Sequence, residues 1–521
     1  MTNAKRLRRL EAAYGQPPEL TYFAGDMTDA QAYYDRMSQA RPEDFFLDDT
    51  TWDDLDMDEV FKRLNLGEST AGEQYLYYQL RCPAMDGAEF VRRAAAPKRM
   101  EKNPSLRLKL QGLLSRLGRR SHVDVLQIFD QEKAPAWALP LFIFLALLVP
   151  ALVCALVLTR AQWVLPPLLC VLVANPLLRQ KVKSKKEWQI ATVAYCASMV
   201  MTARKISAFD NEELSQFRAE AQGPLSRLSR FKGAGFFGGK DDLAEILNGL
   251  LLLDLITYES QKNLLLAHRE DFLTLFRLLG ELDAAICVAS WRRTLPVWTV
   301  PELDFSAAGR RLAFHGLVHP LVANCVPNDL ETENSLLITG SNASGKTTFL
   351  RAAALNLILS QGVCTALARD LRASRFRVCT SIQIADDVLS GQSYYMAEMR
   401  SLLRVLEAAR TPSPPVFCCL DEIFRGTNAV ERIAASSQCL AWLGERCLYM
   451  AATHDSELCD LLPAALCYFE ERVVDDEMFF DYTLKLGRSK NSNAIRFMEV
   501  MGFPDEIVAR ARKTAAEFRR T

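Results

Sequence analysis

The run Gly340-Ser341-Asn342-Ala343-Ser344-Gly345-Lys346-Thr347 holds residue types that together handle phosphate. Glycines at both ends of a G-x-x-x-x-G-K-[ST] stretch let the backbone curl until successive N–H groups face one anion. The lysine then reaches phosphate oxygens and the threonine hydroxyl serves Mg²⁺. Seventy-five residues beyond Lys346, the apolar run Val416-Phe417-Cys418-Cys419-Leu420 ends in Asp421-Glu422. An acid at the carboxyl end of a buried strand can share that metal, and its neighbour can polarise a water molecule. Between the two lies Asp386-Asp387-Val388-Leu389-Ser390-Gly391-Gln392-Ser393, and beyond them Ala452-Thr453-His454 follows another apolar run.

That order, with a serine-glycine segment before the acidic strand and a histidine after the next, is the layout of ATPases that enclose ATP between two heads. Each head completes the other's site. On this reading Gly340, Ser341, Asn342, Ala343, Ser344, Gly345, Lys346, Thr347 and Thr348 contact the nucleotide, and Thr347 and Asp421 hold Mg²⁺. Glu422 orients or deprotonates water, His454 senses the γ-phosphate, and Ser393 reaches across to the γ-phosphate of a second copy.

These residues need a scaffold. From Leu336 onward, short apolar runs alternate with helical stretches, which predicts a mostly parallel α/β sheet. Upstream, residues 46–133 and 187–300 carry helical periodicity. The 521 residues are enough for three or four domains of ordinary size. With 62 Lys+Arg against 63 Asp+Glu, no global charge points to a polyanion partner. Fourteen scattered cysteines read as reduced thiols rather than an exported disulfide framework.

The middle of the chain is different. Residues 134–159 form 26 uncharged positions and 161–178 another 18; as helices these would reach about 39 and 27 Å. Trp137 and Trp163 stand near the ends of the runs. Arg179, Lys181, Lys183, Lys185 and Lys186 follow the second run and Arg116, Arg119 and Arg120 precede the first, whereas only Arg160 lies between. The expectation is a transmembrane hairpin in a multi-pass membrane protein, with both termini and the ATPase domain cytoplasmic. Two buried helices of a soluble protein would usually show a polar stripe, and neither run has one.

The motif set resembles the MutS family of DNA mismatch repair ATPases, a branch of the ABC-type ATPases. The resemblance rests on Thr339 to Thr348 with Ser341 in place of a proline, on Asp386 to Met399, on Leu420 to Thr427, and on Ala452 to His454. His319-Pro320, Val326-Pro327-Asn328-Asp329, Leu282-Asp283-Ala284 and Ser69-Thr70-Ala71-Gly72 extend it upstream. It implies a P-loop α/β ATPase domain over 301–521 with C-terminal dimerisation helices, and an all-α core and lever domain over 46–133 and 187–300. The transmembrane hairpin of 134–178 interrupts the levers, and an N-terminal segment of 1–45 precedes them. It also implies ATP with Mg²⁺ and a homodimer closed through the heads.

Three departures shape the functional expectation. No Phe-x-Glu wedge stands among the first 45 residues, so DNA is kept as a partner without mismatch preference. Cys325 stands where the family has an aromatic beside the adenine, and Ser492-Asn493-Ala494 replaces a Ser-Tyr-Gly. The sequence thus reads as a membrane-anchored ATP hydrolase whose head closure moves levers, acting on DNA or, alternatively, as a remodelling or signalling ATPase that has left DNA.

Overall fold

The computed structural model describes residues 3–18, 22, 26–119, 125–130, 137–231, 242–306, 309–341, 344–382, 394–411, 414–474, 477–488, 495, 498–499 and 501–518. The chain divides into two compact units. One comprises Met1–Ala40, Asn65–Tyr78 and Ala96–Ser290; the other comprises Arg41–Leu64, Gln79–Ala95 and Trp291–Thr521 and carries every described strand.

This division cuts across the 46–133 block of the sequence. The reason is polar. In the helix Asp49–Asp54, the buried Asp54 carboxylate accepts from Thr380 Oγ1 at 2.6 Å and from the Ile382 N–H at 3.0 Å. Arg404 donates to Asp48 at 2.7 Å. An aspartate with so little solvent needs those partners, and they all belong to the strand-bearing unit.

That unit holds twelve described strands: β1 Glu302–Asp304, β2 Leu312–Leu317, β3 Asn328–Thr332, β4 Leu336–Thr339, β5 Asp370–Ser374, β6 Arg377–Ser381, β7 Val416–Asp421, β8 Leu448–Thr453, β9 Ala465–Tyr468, β10 Glu471–Val474, β11 Glu477–Phe480 and β12 Lys485–Leu486. A six-stranded sheet runs β12-β9-β4-β8-β7-β6, and a four-stranded one β1-β5-β2-β3. In the larger sheet every pairing from β9 to β6 is parallel. Strands covered on both faces must be apolar throughout. Accordingly β8 is buried along its whole length and β7 everywhere except Asp421. The register sets Thr339 beside Thr453 and Asp421 beside Ala452, so these strands end at one edge.

The helical unit is pinned by one carboxylate. Asp283, in the helix Arg269–Arg292, is 1% exposed and accepts from Ser69 Oγ at 2.5 Å, Ser69 N–H at 2.9 Å and Glu68 N–H at 3.2 Å. It thereby satisfies the start of the helix Thr70–Arg81. Gly72 is required by this approach, because a Cβ there would meet Asp283 atoms at 2.2 to 2.5 Å.

Within the same unit, the uncharged runs form two helices, Ala138–Thr159 and Leu165–Lys185, joined through Arg160 at φ +50°. Both are long and apolar enough to cross a membrane, and only 17% and 22% of their apolar windows are buried. The second helix continues past the uncharged run through Arg179, Lys181 and Lys183. Pro150 and Pro176 lie inside the helices.

Candidate active site

The site forms where β4, β7 and β8 end. After Thr339 the chain passes Gly340 and Ser341 and, further on, Ser344 and Gly345 before the helix Lys346–Gly362. Gly340 and Gly345 take φ of +149° and +105°, and a Cβ on Gly340 would press to 2.8 Å from the Phe469 carbonyl. Only glycine suits this turn. Lys346 Nζ donates to the carbonyls of Gly340 and Ser341, both at 2.8 Å, and lies 3.5 Å from His454 Nε2. Burial pulls the Lys346 ammonium below its ordinary pKa, against the opposing pull of Glu422, Asp421 and Glu471. Ser344 Oγ donates to the Ser341 carbonyl at 2.8 Å. Thr348 lines a neighbouring cavity of about 360 Å³ with Cys325, Gly345, Phe349 and Phe469. Asn342 and Ala343 lie outside the described residues.

From β7, Asp421 accepts the Thr347 hydroxyl on Oδ2 at 2.6 Å, while its Oδ1 is buried without a hydrogen-bond partner among the described residues. Burial raises this carboxyl's pKa, and the Thr347 hydrogen bond opposes the rise. Glu422 is held on both oxygens, by His454 Nε2 at 2.5 Å and Arg425 Nε at 3.0 Å. The His454 hydrogen bond lowers the Glu422 pKa, against a smaller contribution from burial.

The turn after Glu422 is strained. Glu422 and Phe424 sit at φ +50° and +61°, a region that side chains with a Cβ rarely adopt. Two hydrogen bonds impose it: the Glu422 N–H donates to the Ala452 carbonyl at 3.0 Å and the Arg425 N–H to buried Glu398 at 2.9 Å.

Lys346, Thr347, Asp421, Glu422 and His454 therefore meet at one edge. Ser393 and its whole segment from Asp386 lie outside the described residues. Three participants had no role assigned from sequence: Arg425, Glu398, and Glu471, which accepts the Ser341 hydroxyl at 2.8 Å. The first two stand inside the quoted motifs, so their presence was visible although their contacts were not. Glu471 comes 130 residues after Ser341 with no signal.

A glycine turn between a parallel strand and a helix start, with a buried lysine and an acid on a neighbouring strand end, defines an α/β domain with its polar groups gathered at the strand ends. Residues 336–519 match the model of MutS domain V. The chain is 33% identical over 246 residues to the DNA mismatch repair protein MutS of Thermus thermophilus, covering 45% of this chain and 29% of that one. The protein of the same name from Natronomonas pharaonis is 31% identical over 245 residues, with 45% and 28% covered. That from Thermus aquaticus is 34% identical over 212, with 39% and 26% covered. Over residues 336–519 the chain thus carries a MutS-type domain V, and it matches less than a third of the length of these relatives.

Proposed function

We propose that the protein is a membrane-anchored, homodimeric ATP hydrolase in which closure of the two heads moves the helical levers and, with them, the apolar hairpin. The observation that carries the hydrolase reading is the pairing of Thr347 with Asp421 around one orphaned, buried carboxylate oxygen. An unsatisfied buried oxygen is costly unless a ligand completes it. Thr347 and Asp421 fit the hard oxygen donor set of Mg²⁺, which when bound would neutralise charge at the phosphates.

The chain's own residues do the rest. The amides of residues 340–345 and the Lys346 ammonium bind phosphate oxygens, with the ammonium leaving the carbonyls of Gly340 and Ser341. Glu422 takes a proton from the attacking water once His454 and Arg425 release it. His454 then donates toward the γ-phosphate, and Ser393 of the second copy caps it. The poorly buried hairpin supports the anchoring, with lipid as partner. DNA is the polymer acted on in this reading, without mismatch preference; the exposed hairpin favours the alternative, remodelling or signalling without DNA. Salt-dependent DNA binding by the solubilised dimer separates the two.

Two variants test the hydrolase. Lys346→Ala should lose nucleotide binding, whereas Glu422→Gln should bind ATP and turn over about 10²–10⁴-fold more slowly. Unchanged turnover in Glu422→Gln would remove the base assignment.

A further inference from the structure

Among the described residues of the helical unit, the large apolar side chains left exposed lie on the two hairpin helices or at their ends, with two exceptions: Ile246 at 58% and Leu247 at 41%. Both stand on the short helix Asp242–Leu251, which packs against both hairpin helices. We propose that this helix is a third lipid-contacting element, lying in the acyl boundary of one leaflet beside the hairpin without crossing it. The inference rests on the anchoring reading above.

Its length limits it to one leaflet. Asp242 and Glu245 stand in the first turn, so the charge-free part is residues 246–251, about 9 Å of helix. A helix of that kind inserts about 5–10 Å rather than spanning a core of about 30 Å.

One carbonyl at the end of the helix finds its partner inside the protein. No water in the acyl region can accept or donate, so a helix terminus there needs a partner from the protein. Asn175, 1% exposed and at the middle of the second hairpin helix, donates to the Leu250 carbonyl at 2.7 Å and to the Leu145 carbonyl at 3.3 Å. One amide thus joins the short helix to both spans. The chain then turns at Leu252, φ +49°, and begins the helix Leu253–Ala267.

Depth follows from the next charges. Four residues beyond Asn175, about 6 Å along its helix, Arg179 meets Asp254 at 2.8 Å, and Lys186 meets Glu259 at 2.8 Å. The ion pairs mark the polar side of the boundary. Ile246 and Leu247 lie about one turn before Leu250 on the same helix.

The test uses the full chain in liposomes containing a phospholipid with a photoactivatable diazirine in its acyl chain, followed by peptide mapping. The hairpin peptides and the peptide holding residues 242–251 should both carry lipid. Lipid on the hairpin alone overturns the inference and leaves anchoring intact; lipid on neither defeats the anchoring reading and this inference with it. In a second arm, the pair Ile246→Lys and Leu247→Lys should lose lipid from residues 242–251 while the hairpin keeps it. Unchanged crosslinking there would also overturn the proposal. Asn175→Leu, which removes the amide but not the apolar face, should lower crosslinking at residues 242–251 and spare the hairpin.

Discussion

At the site of the strand-bearing unit the misfit is polar: Asp421 Oδ1 is buried without a hydrogen-bond partner among the described residues, beside the buried Lys346 ammonium. At the hairpin of the helical unit the misfit runs the other way, with leucines, valines and Phe144 left open. Each mismatch specifies what is absent. A buried unsatisfied oxygen calls for a cation or donor, and an exposed apolar belt calls for lipid or protein. The contrast teaches that a site and a surface are both read from groups whose local environment contradicts their chemistry.

The sharpest way to break the comparison is to remove the apolar side of it. Deleting residues 134–178 should move the protein from the carbonate-resistant membrane pellet to the soluble fraction while ATP binding persists. An intact chain that stays soluble without detergent would sink the lipid reading.

The polar side can be probed at Asp283, the carboxylate that the helical unit does satisfy. Asp283→Ala strands the Ser69 and Glu68 donors and should cost about 3 kcal/mol of stability in urea unfolding. A loss below about 0.5 kcal/mol would mean that this network relaxes without its centre.

His319 sharpens the same point by pH. Burial, reinforced by the charges of Arg351 and Arg63, lowers its pKa from 6.5 to about 4, and its Nδ1 accepts the Leu321 N–H at 3.1 Å. The unfolded chain therefore binds a proton below pH 6.5 that the folded chain refuses until about pH 4. Stability is fully present above pH 6.5 and falls as pH drops through this window, by about 2 kcal/mol at pH 5. His319→Gln should flatten that acid slope in parallel denaturation series at pH 7 and 5; an identical slope would exclude His319 as its source.

The smallest expected effect lies at the edge of the site. Asn428 caps the helix Ala429–Arg446 by accepting the Glu431 N–H at 3.0 Å. Asn428→Ala should cost about 1 kcal/mol, read as a shift in the urea midpoint with nucleotide binding unchanged.

The candidate site residues were legible because a phosphate-binding pattern is local in sequence: spacing alone placed Lys346 and Thr347 at a helix start and Asp421 at a strand end. Glu471 and Arg425 were not, since their partners are fixed by how strands and turns fold back. The segments around Ser69 and Asp283 were each recognised by resemblance, yet their hydrogen bonds become visible only when 214 residues of separation are closed. Likewise, the helical period of residues 46–64 was readable, but not its assignment to the strand-bearing unit, which depends on Asp54 meeting Thr380. Asn175 gave no sequence signal inside an apolar run, because an amide's value there is set by the carbonyls it reaches.

The ammonium of Lys346 carries a further consequence in competitive terms. The Gly340 and Ser341 carbonyls are internal ligands that any nucleotide must displace, and a hydrogen bond from a charged donor is worth about 1.5–3 kcal/mol. A triphosphate offers the ammonium anionic oxygens on two phosphoryl groups in exchange for the two bonds it surrenders. The cost of giving up those bonds is common to every phosphate ligand, so it lowers the affinity for all of them by one factor and leaves their ranking to the contacts each makes in return.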